Sequence, residues 1–264
     1  MRNCWLILVA VSLLATLAAC ADEGGAWKTI YFKRGFVGNY DANWAGGVGA
    51  TLRWRLPIPC AGSKVRVFVG GSREEDVVLA KMTLVRGVDA AGKITGPQFP
   101  VLFAGQPTLT LEKGGKSAAS DPLEAPITPG LWYLQDSYAS QKFPYAYEVD
   151  TTYAGPADGF DKESLPRPIK GSRLGIVTRV DLFTPDARPT IACWGDSITH
   201  GYASTPNAGK RYPELLGARL NRPTLNLGVN GDQAIYAGGA PGVLAGLPGI
   251  DTVIFLMGIS ERLP

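Results

Sequence analysis

Read from its residues, the chain joins two fold classes. An antiparallel β-sandwich is expected over residues 22–186, and the strand–helix alternation of a parallel sheet wrapped by helices over residues 187–264. Three observations carry this. Short runs of alternating apolar residues, parted by glycine and proline turns, fill the first region. After Pro185-Asp186-Ala187-Arg188-Pro189 the strands become continuously apolar and helical spacing sets in between them. With 45% hydrophobic and 19% charged residues the chain can bury a core, which excludes wholesale disorder. Glycine and proline make roughly a fifth of it, above ordinary usage but short of low complexity.

Residues 1–21 read as an export signal. Arg2 supplies the positive start, and Trp5 to Leu17 is an almost unbroken apolar run, short for a membrane span. It ends in Leu17-Ala18-Ala19-Cys20, which resembles a bacterial lipobox, with Cys20 lipidated and becoming the mature N-terminus. Cleavage after Ala21 fits the small-x-small rule as well, and an uncleaved anchor is the third reading. All three put the mature protein outside the cytoplasm, lipid-anchored to a bacterial membrane or secreted. Cys60 and Cys193 remain in the body; they make no disulfide framework and have no metal-ligand spacing, so they read as small buried side chains. No metal and no cofactor is expected.

Strands are expected at Thr51–Leu56, Lys64–Val69, Val77–Arg86, Val101–Phe103, Leu109–Leu111, Leu131–Ser137 and Gly175–Leu182. Val65, Val67 and Val69 share one face. Gly70-Gly71, Ala91-Gly92-Lys93, Gly114-Gly115 and Thr128-Pro129-Gly130 supply turns. This number of short strands suits two packed antiparallel sheets. Ser140–Gly171, rich in Pro, Gly and Asp, is a long loop or an insertion. Beyond the junction, Thr190–Trp194 is a strand, Arg211–Leu220 a helix with Leu215, Leu216 and Leu220 at helical spacing, and Pro223–Leu227 a strand. Gly239–Leu247 is a glycine-weakened helix. Asp251–Met257 is a further apolar strand whose outer edge is expected to be exposed, an association hazard.

Ser197 follows the Thr190–Trp194 strand directly, in Trp194-Gly195-Asp196-Ser197. Ligand sites of open parallel sheets lie at the carboxyl ends of the strands, where a serine hydroxyl can be exposed for attack. The same residue types at such a turn also cap helices; local sequence leaves both readings open.

Gly195-Asp196-Ser197-Ile198-Thr199 resembles the first block of the GDSL, or SGNH, hydrolases, esterases and lipases on a flavodoxin-like α/β/α fold. Asn226-Leu227-Gly228-Val229-Asn230-Gly231-Asp232 resembles their second block, and Gly258-Ile259-Ser260-Glu261 aligns with the third. The resemblance implies that residues 187–264 are the first part of such a domain, and that Ser197 attacks the ester carbonyl. The N–H groups of Ser197 and Gly231 would hold the oxyanion, each donor being worth about 3 kcal/mol of barrier. Asp196 would organise the turn.

Two departures matter. Ser260 stands where the family has the asparagine that completes the oxyanion hole, and a hydroxyl is a shorter, less preorganised donor. The fourth block, Asp-x-x-His, which supplies base and orienting acid, is not found, so the resemblance makes this a C-terminally incomplete hydrolase. The single histidine of the chain, His200, lies three residues after Ser197 without an acid to fix its tautomer; it reads as a solvent-facing or loop-packing residue rather than the base.

The first region, from Lys64-Val65-Arg66-Val67-Phe68 through Phe103–Leu111 and Ser120-Asp121-Pro122, resembles the β-sandwich preceding the SGNH domain of some secreted esterases. Those proteins are associated with esterified polysaccharides, so an ester-bearing polysaccharide is the partner expected. Arg53, Trp54 and Arg55 with Trp132 and Tyr133 offer either a sugar-stacking surface or a half-buried pair of strands. A net charge of +3 is too small and dispersed for nucleic acid. A non-catalytic glycan-binding protein and a lipid-directed esterase are the other readings.

Overall fold

The computed structural model describes residues 24–34, 38–41, 49–146, 149–161, 165, 167–169 and 173–258. The export segment with Cys20, and Ser260 with Glu261, lie outside the described residues. What is described is mostly β-sheet with few helices.

In chain order the strands begin with β1 (Ala26–Phe32), β2 (Gly38–Asp41), β3 (Ala50–Ile58), β4 (Gly62–Gly70) and β5 (Val77–Val85). Short strands follow: β6 (Gln98–Pro100), β7 (Leu109–Leu111), β8 (Ser117–Ala119) and β9 (Leu123–Ile127). Then come β10 (Gly130–Tyr138), β11 (Lys142–Ala146), β12 (Thr152–Gly155), β13 (Arg167–Ile169), β14 (Arg173–Leu174) and β15 (Val177–Thr184). The last region holds β16 (Thr190–Gly195), α1 (Ser197–His200), α2 (Tyr212–Leu220), β17 (Thr224–Gly228), α3 (Ala240–Ala245) and β18 (Ile250–Leu256).

A five-stranded sheet runs β1-β15-β4-β8 with β9 also on β4; a seven-stranded sheet runs β13-β12-β3-β10-β5-β6 with β7 on β5. Their pairings are antiparallel. One core draws on both sheets: Val65, Val67, Val69, Val180 and Leu182 meet Leu52, Trp54, Leu56, Leu79 and Leu134. Alternation decides the faces, since successive side chains of a strand point to opposite sides. In β4 the odd-numbered valines are fully buried while Lys64, Arg66 and Phe68 are only partly so.

Three expectations are corrected. Val101–Phe103 is not a strand; pairing moves to β6, and Phe103 bridges Gln106 across a turn where Ala104 and Gly105 take positive φ of 50° and 75°. Ser140–Gly171 is not one loop: it contains β11 and β12, the 3-10 turn Ala157–Asp161, and β13. The sugar-stacking surface is not formed. Trp54 and Trp132 are 2% and 1% exposed and face the shared core. Arg53, on the opposite face, is also fully buried, its Nε donating to Gln135 Oε1 at 2.7 Å and its Nη1 to the Gly92 carbonyl. Burial lowers its guanidinium to about 10, so it stays charged.

The third layer of interest is a parallel sheet in the order β17-β16-β18, the middle strand being first in the chain. Its buried core joins Ala192, Trp194, Leu225, Leu227, Ala240 and Leu247, with Phe32 of β1 packed against it. The N-terminal strand thus covers part of the sheet. Thr29 N–H donates to the Pro248 carbonyl at 2.9 Å, and the buried Lys28 ammonium reaches the Asp186 and Arg188 carbonyls where the chain crosses over. Among the described residues β18 pairs with β16 alone, and Phe255 and Leu256 are 53% and 43% exposed, the apolar edge the sequence leads one to expect.

Candidate active site

The site is built from the carboxyl ends of three neighbouring parallel strands. All six residues of β16 are buried, and the strand stops where Gly195 leaves no room: a Cβ there would lie 2.0 Å from Thr199 Oγ1 and 2.3 Å from the Leu256 carbonyl. Asp196 then turns the chain. It is 2% exposed and its carboxylate accepts from Ile198 N–H at 2.9 Å, capping α1. Ser197, the first residue of α1, is half-buried, and the next residue Ile198 is exposed. The cap is therefore the aspartate, and the serine hydroxyl takes no part in the capping bond. Gly201, at φ 95°, ends the helix.

β17 lies beside β16 with Gly228 opposite Gly195. A Cβ on Gly228 would sit 2.1 Å from His200 N, so glycine is what lets the strand end pass under α1. Asn226 fixes the same junction: its Nδ2 donates to the Thr199 carbonyl at 2.8 Å, and its Oδ1 accepts from Gly228 N–H at 2.9 Å. Val229 N–H donates to the Gly195 carbonyl at 3.0 Å, and Asp232 N–H closes a turn onto the Val229 carbonyl at 3.1 Å. Gly231 stands in that turn, exposed and at φ 77°. Nothing lies within 4 Å of where its Cβ would be, so backbone conformation, not space, calls for glycine there.

With strands 4.7–4.9 Å apart, Ser197, two residues beyond Gly195, and Gly231, three beyond Gly228, emerge on the same edge of the sheet. On the other side of β16, Leu256 pairs with Gly195 and the chain leaves through Gly258 at φ 132°. Ser260 is two residues further on, outside the described residues. Gly228→Ala is expected to force α1 and β17 apart, costing about 1–3 kcal/mol of stability. A thermal melt checks this.

His200 is 5% exposed, so it is not solvent-facing. It lines a cavity of about 420 Å3 along the outer side of β17, with Tyr31, Arg34, Arg55, Asp150 and Arg211. Ser197 and Gly231 do not line that cavity. Cys60 and Cys193 are buried thiols, as expected. Burial pushes Cys193 up to about 11, so it remains neutral, and Tyr212 beside it up to about 12. Among the described residues no cluster of His, Cys, Asp or Glu is arranged to hold a metal, and no helix is long and apolar enough to cross a membrane.

One residue of the site has no signal in the sequence. Arg34, on the segment leaving β1, reaches the end of the parallel sheet. Its guanidinium lies 3.6 Å from the centre of the Trp194 ring, pairs with Asp232 Oδ2 at 2.6 Å, and donates to the Leu227 carbonyl at 3.1 Å. Contacts between residues this far apart in the chain, 193 positions for Arg34 and Leu227, cannot be read from local pattern.

Neither a family model nor a curated protein matches the chain. Among solved structures it is similar to a GDSL-like lipase from Bacteroides ovatus, with 14% identity and a TM-score of 0.24 over 78% of this chain and 49% of that one. It is similar also to a family two carbohydrate esterase from Clostridium thermocellum, solved with cellohexaose, at 11% identity and 0.18 over 73% and 47%. An acetyl xylan esterase from Butyrivibrio proteoclasticus gives 12% and 0.21 over 80% and 50%. The chain spans about half the length of these structures.

Proposed function

We propose that the chain belongs to an extracytoplasmic serine esterase that removes acetyl or other acyl groups from carbohydrate. It would carry a β-sandwich domain over residues 22–186 and an SGNH-type α/β/α domain opening at residue 187. The observation that carries this reading is the division of labour at the turn after β16. Asp196 takes the cap, so Ser197 can offer its hydroxyl at the end of the central strand, beside a turn whose Gly231 holds a positive φ.

In the proposed reaction Ser197 Oγ attacks the ester carbonyl and the carbonyl oxygen becomes an oxyanion. The N–H groups of Ser197 and Gly231 donate to it, stabilising charge that exists only beyond the ground state. Collapse expels the sugar alkoxide, which takes up a proton, and water then hydrolyses the acyl-serine. The serine proton must leave to a base. The family resemblance assigns that role to an Asp-x-x-His block, which these 264 residues do not include. Ser260 is the proposed third, weaker oxyanion donor. Carbohydrate as the substrate rests on the resemblance of the first region to the sandwiches of secreted esterases, and membrane attachment on a lipidated Cys20.

Acetate release by the full-length natural protein from acetylated xylan and from aryl acetates tests this. Release from both is the expected result. Retention on the polysaccharide without release would overturn the reading in favour of a glycan-binding protein. A preference for long-chain over acetyl esters would overturn the carbohydrate assignment in favour of lipid.

A further inference from the structure

We propose that Arg34 is a positioning residue for the oxyanion side of this site, an inference that rests on the roles given above to Ser197 and Gly231. Its three contacts fall on three separate parts of the site. Trp194 is the residue of β16 just before the Gly195-Asp196-Ser197 turn, Leu227 is near the end of β17, and Asp232 follows Gly231 directly. One guanidinium therefore ties the nucleophile strand to the far side of the oxyanion turn.

The turn needs such a tie. Gly231 is exposed, nothing lies within 4 Å of where its Cβ would be, and the turn's own hydrogen bond comes from Asp232 N–H. An oxyanion donor acts through preorganisation, because reorienting it during the reaction consumes the stabilisation it offers. Here the fixed point is the Asp232 side chain, 8% exposed, held by an Arg34 side chain that is 11% exposed. A planar guanidinium can stack on an indole while it ion-pairs with a carboxylate and donates to a carbonyl; an ammonium cannot reproduce that geometry. The segment after β1 thus acts on the Ser197 site without touching substrate.

The test uses the full-length natural protein and an aryl alkylphosphonate. Ser197 Oγ forms a bond to phosphorus, the aryloxide leaves with its electron pair, the serine proton passes to the base, and the phosphoryl oxygen takes the oxyanion position. For Arg34→Met the maximal inactivation rate is expected to fall about 10-fold or more, part of the roughly 10²–10³-fold that one oxyanion donor is worth. The half-saturating phosphonate concentration should not change. Arg34→Lys, which keeps the charge for Asp232, should recover part of the rate. Asp232→Asn, which leaves the stack on Trp194 intact, should lose rate as Arg34→Met does, and the double variant should lose no more than either alone. Melting curves establish that each variant is folded; if Arg34→Met is not, Asp232→Asn carries the same expectation. An unchanged maximal rate with Ser197 still labelled overturns the positioning role alone. Failure of the unaltered protein to label at Ser197 overturns the nucleophile assignment, and the positioning role with it.

Discussion

Ser197→Ala is expected to abolish ester hydrolysis by the full-length protein, with kcat falling roughly 10³-fold or more and the melting temperature unchanged. The two halves of this expectation come from different atoms. Catalysis needs the hydroxyl, which alanine removes. Stability at the turn comes from Asp196, whose carboxylate caps α1, and from the Ser197 carbonyl, which accepts from Gly201 and Tyr202 N–H groups and is kept by alanine. Asp196→Ala provides the contrast: loss of the cap should cost about 1 kcal/mol of stability. If Ser197→Ala instead destabilised the protein as much as Asp196→Ala, the serine would be a structural residue.

The second large effect concerns stability and pH. Asp136 of β10 points into the core shared by the two antiparallel sheets and is fully buried. Burial raises its carboxyl from the usual 3.8 to about 7; the Tyr138 hydroxyl, which donates to Oδ2, offsets this only in part. The Tyr138 hydroxyl in turn accepts from Ile176 N–H at 3.1 Å. A Cβ on Gly175 would lie 2.9 Å from Asp136 Oδ2, so the carboxyl is closely packed. An acid whose pKa rises on folding binds more protons in the native state than in the unfolded one. Its contribution is most favourable at low pH, is lost as pH rises from about 4 to about 7, and is constant above that. At 1.36 kcal/mol per unit the loss amounts to about 4 kcal/mol. Asp186 and Asp251 are shifted the other way, by arginine and threonine hydrogen bonds respectively, and weaken the fold only as pH falls below the ordinary carboxylate range. Asp136→Asn keeps an oxygen for the Tyr138 hydroxyl and removes the titration. Denaturant melts from pH 4 to 8 should therefore show the variant gaining on the parent as pH rises. Parallel profiles would mean that Asp136 does not titrate in this range.

Strong local signals in the sequence survived folding. The valine alternation of β4 was legible because a period of 2 is imposed where one face of a strand meets the core, and β16 because its continuous apolar run is buried throughout. The helical spacing of Leu215, Leu216 and Leu220 placed α2, yet Leu215 and Leu220 are 53% and 51% exposed. The Ser197 and Gly231 turns were singled out by the resemblance of their sequence blocks to a family; in the structure Gly195 answers to the close approach of Thr199 and the Leu256 carbonyl, and Gly231 to a positive φ. What pattern could not supply was partnership. Arg53 lies on a strand whose pattern left a sugar-stacking surface or a half-buried face open, and it is buried, because Gln135 and the Gly92 carbonyl meet it there. Trp54 and Trp132 share strands with arginine and tyrosine, and alternation alone does not say which face the core claims. Asp136 reads as a polar position and sits in the apolar core. Arg34 reads as one basic residue among many, since its meaning lies in Trp194 and Asp232, far along the chain.

The most direct measurement is peptide mapping by mass spectrometry of the full-length protein after reaction with a fluorophosphonate under conditions where esterase activity is lost. The expected result is a single phosphonyl adduct on the peptide that carries Ser197, absent from Ser197→Ala. An adduct on another residue, or complete loss of activity with Ser197 unmodified, would contradict the assignment of Ser197 as the nucleophile.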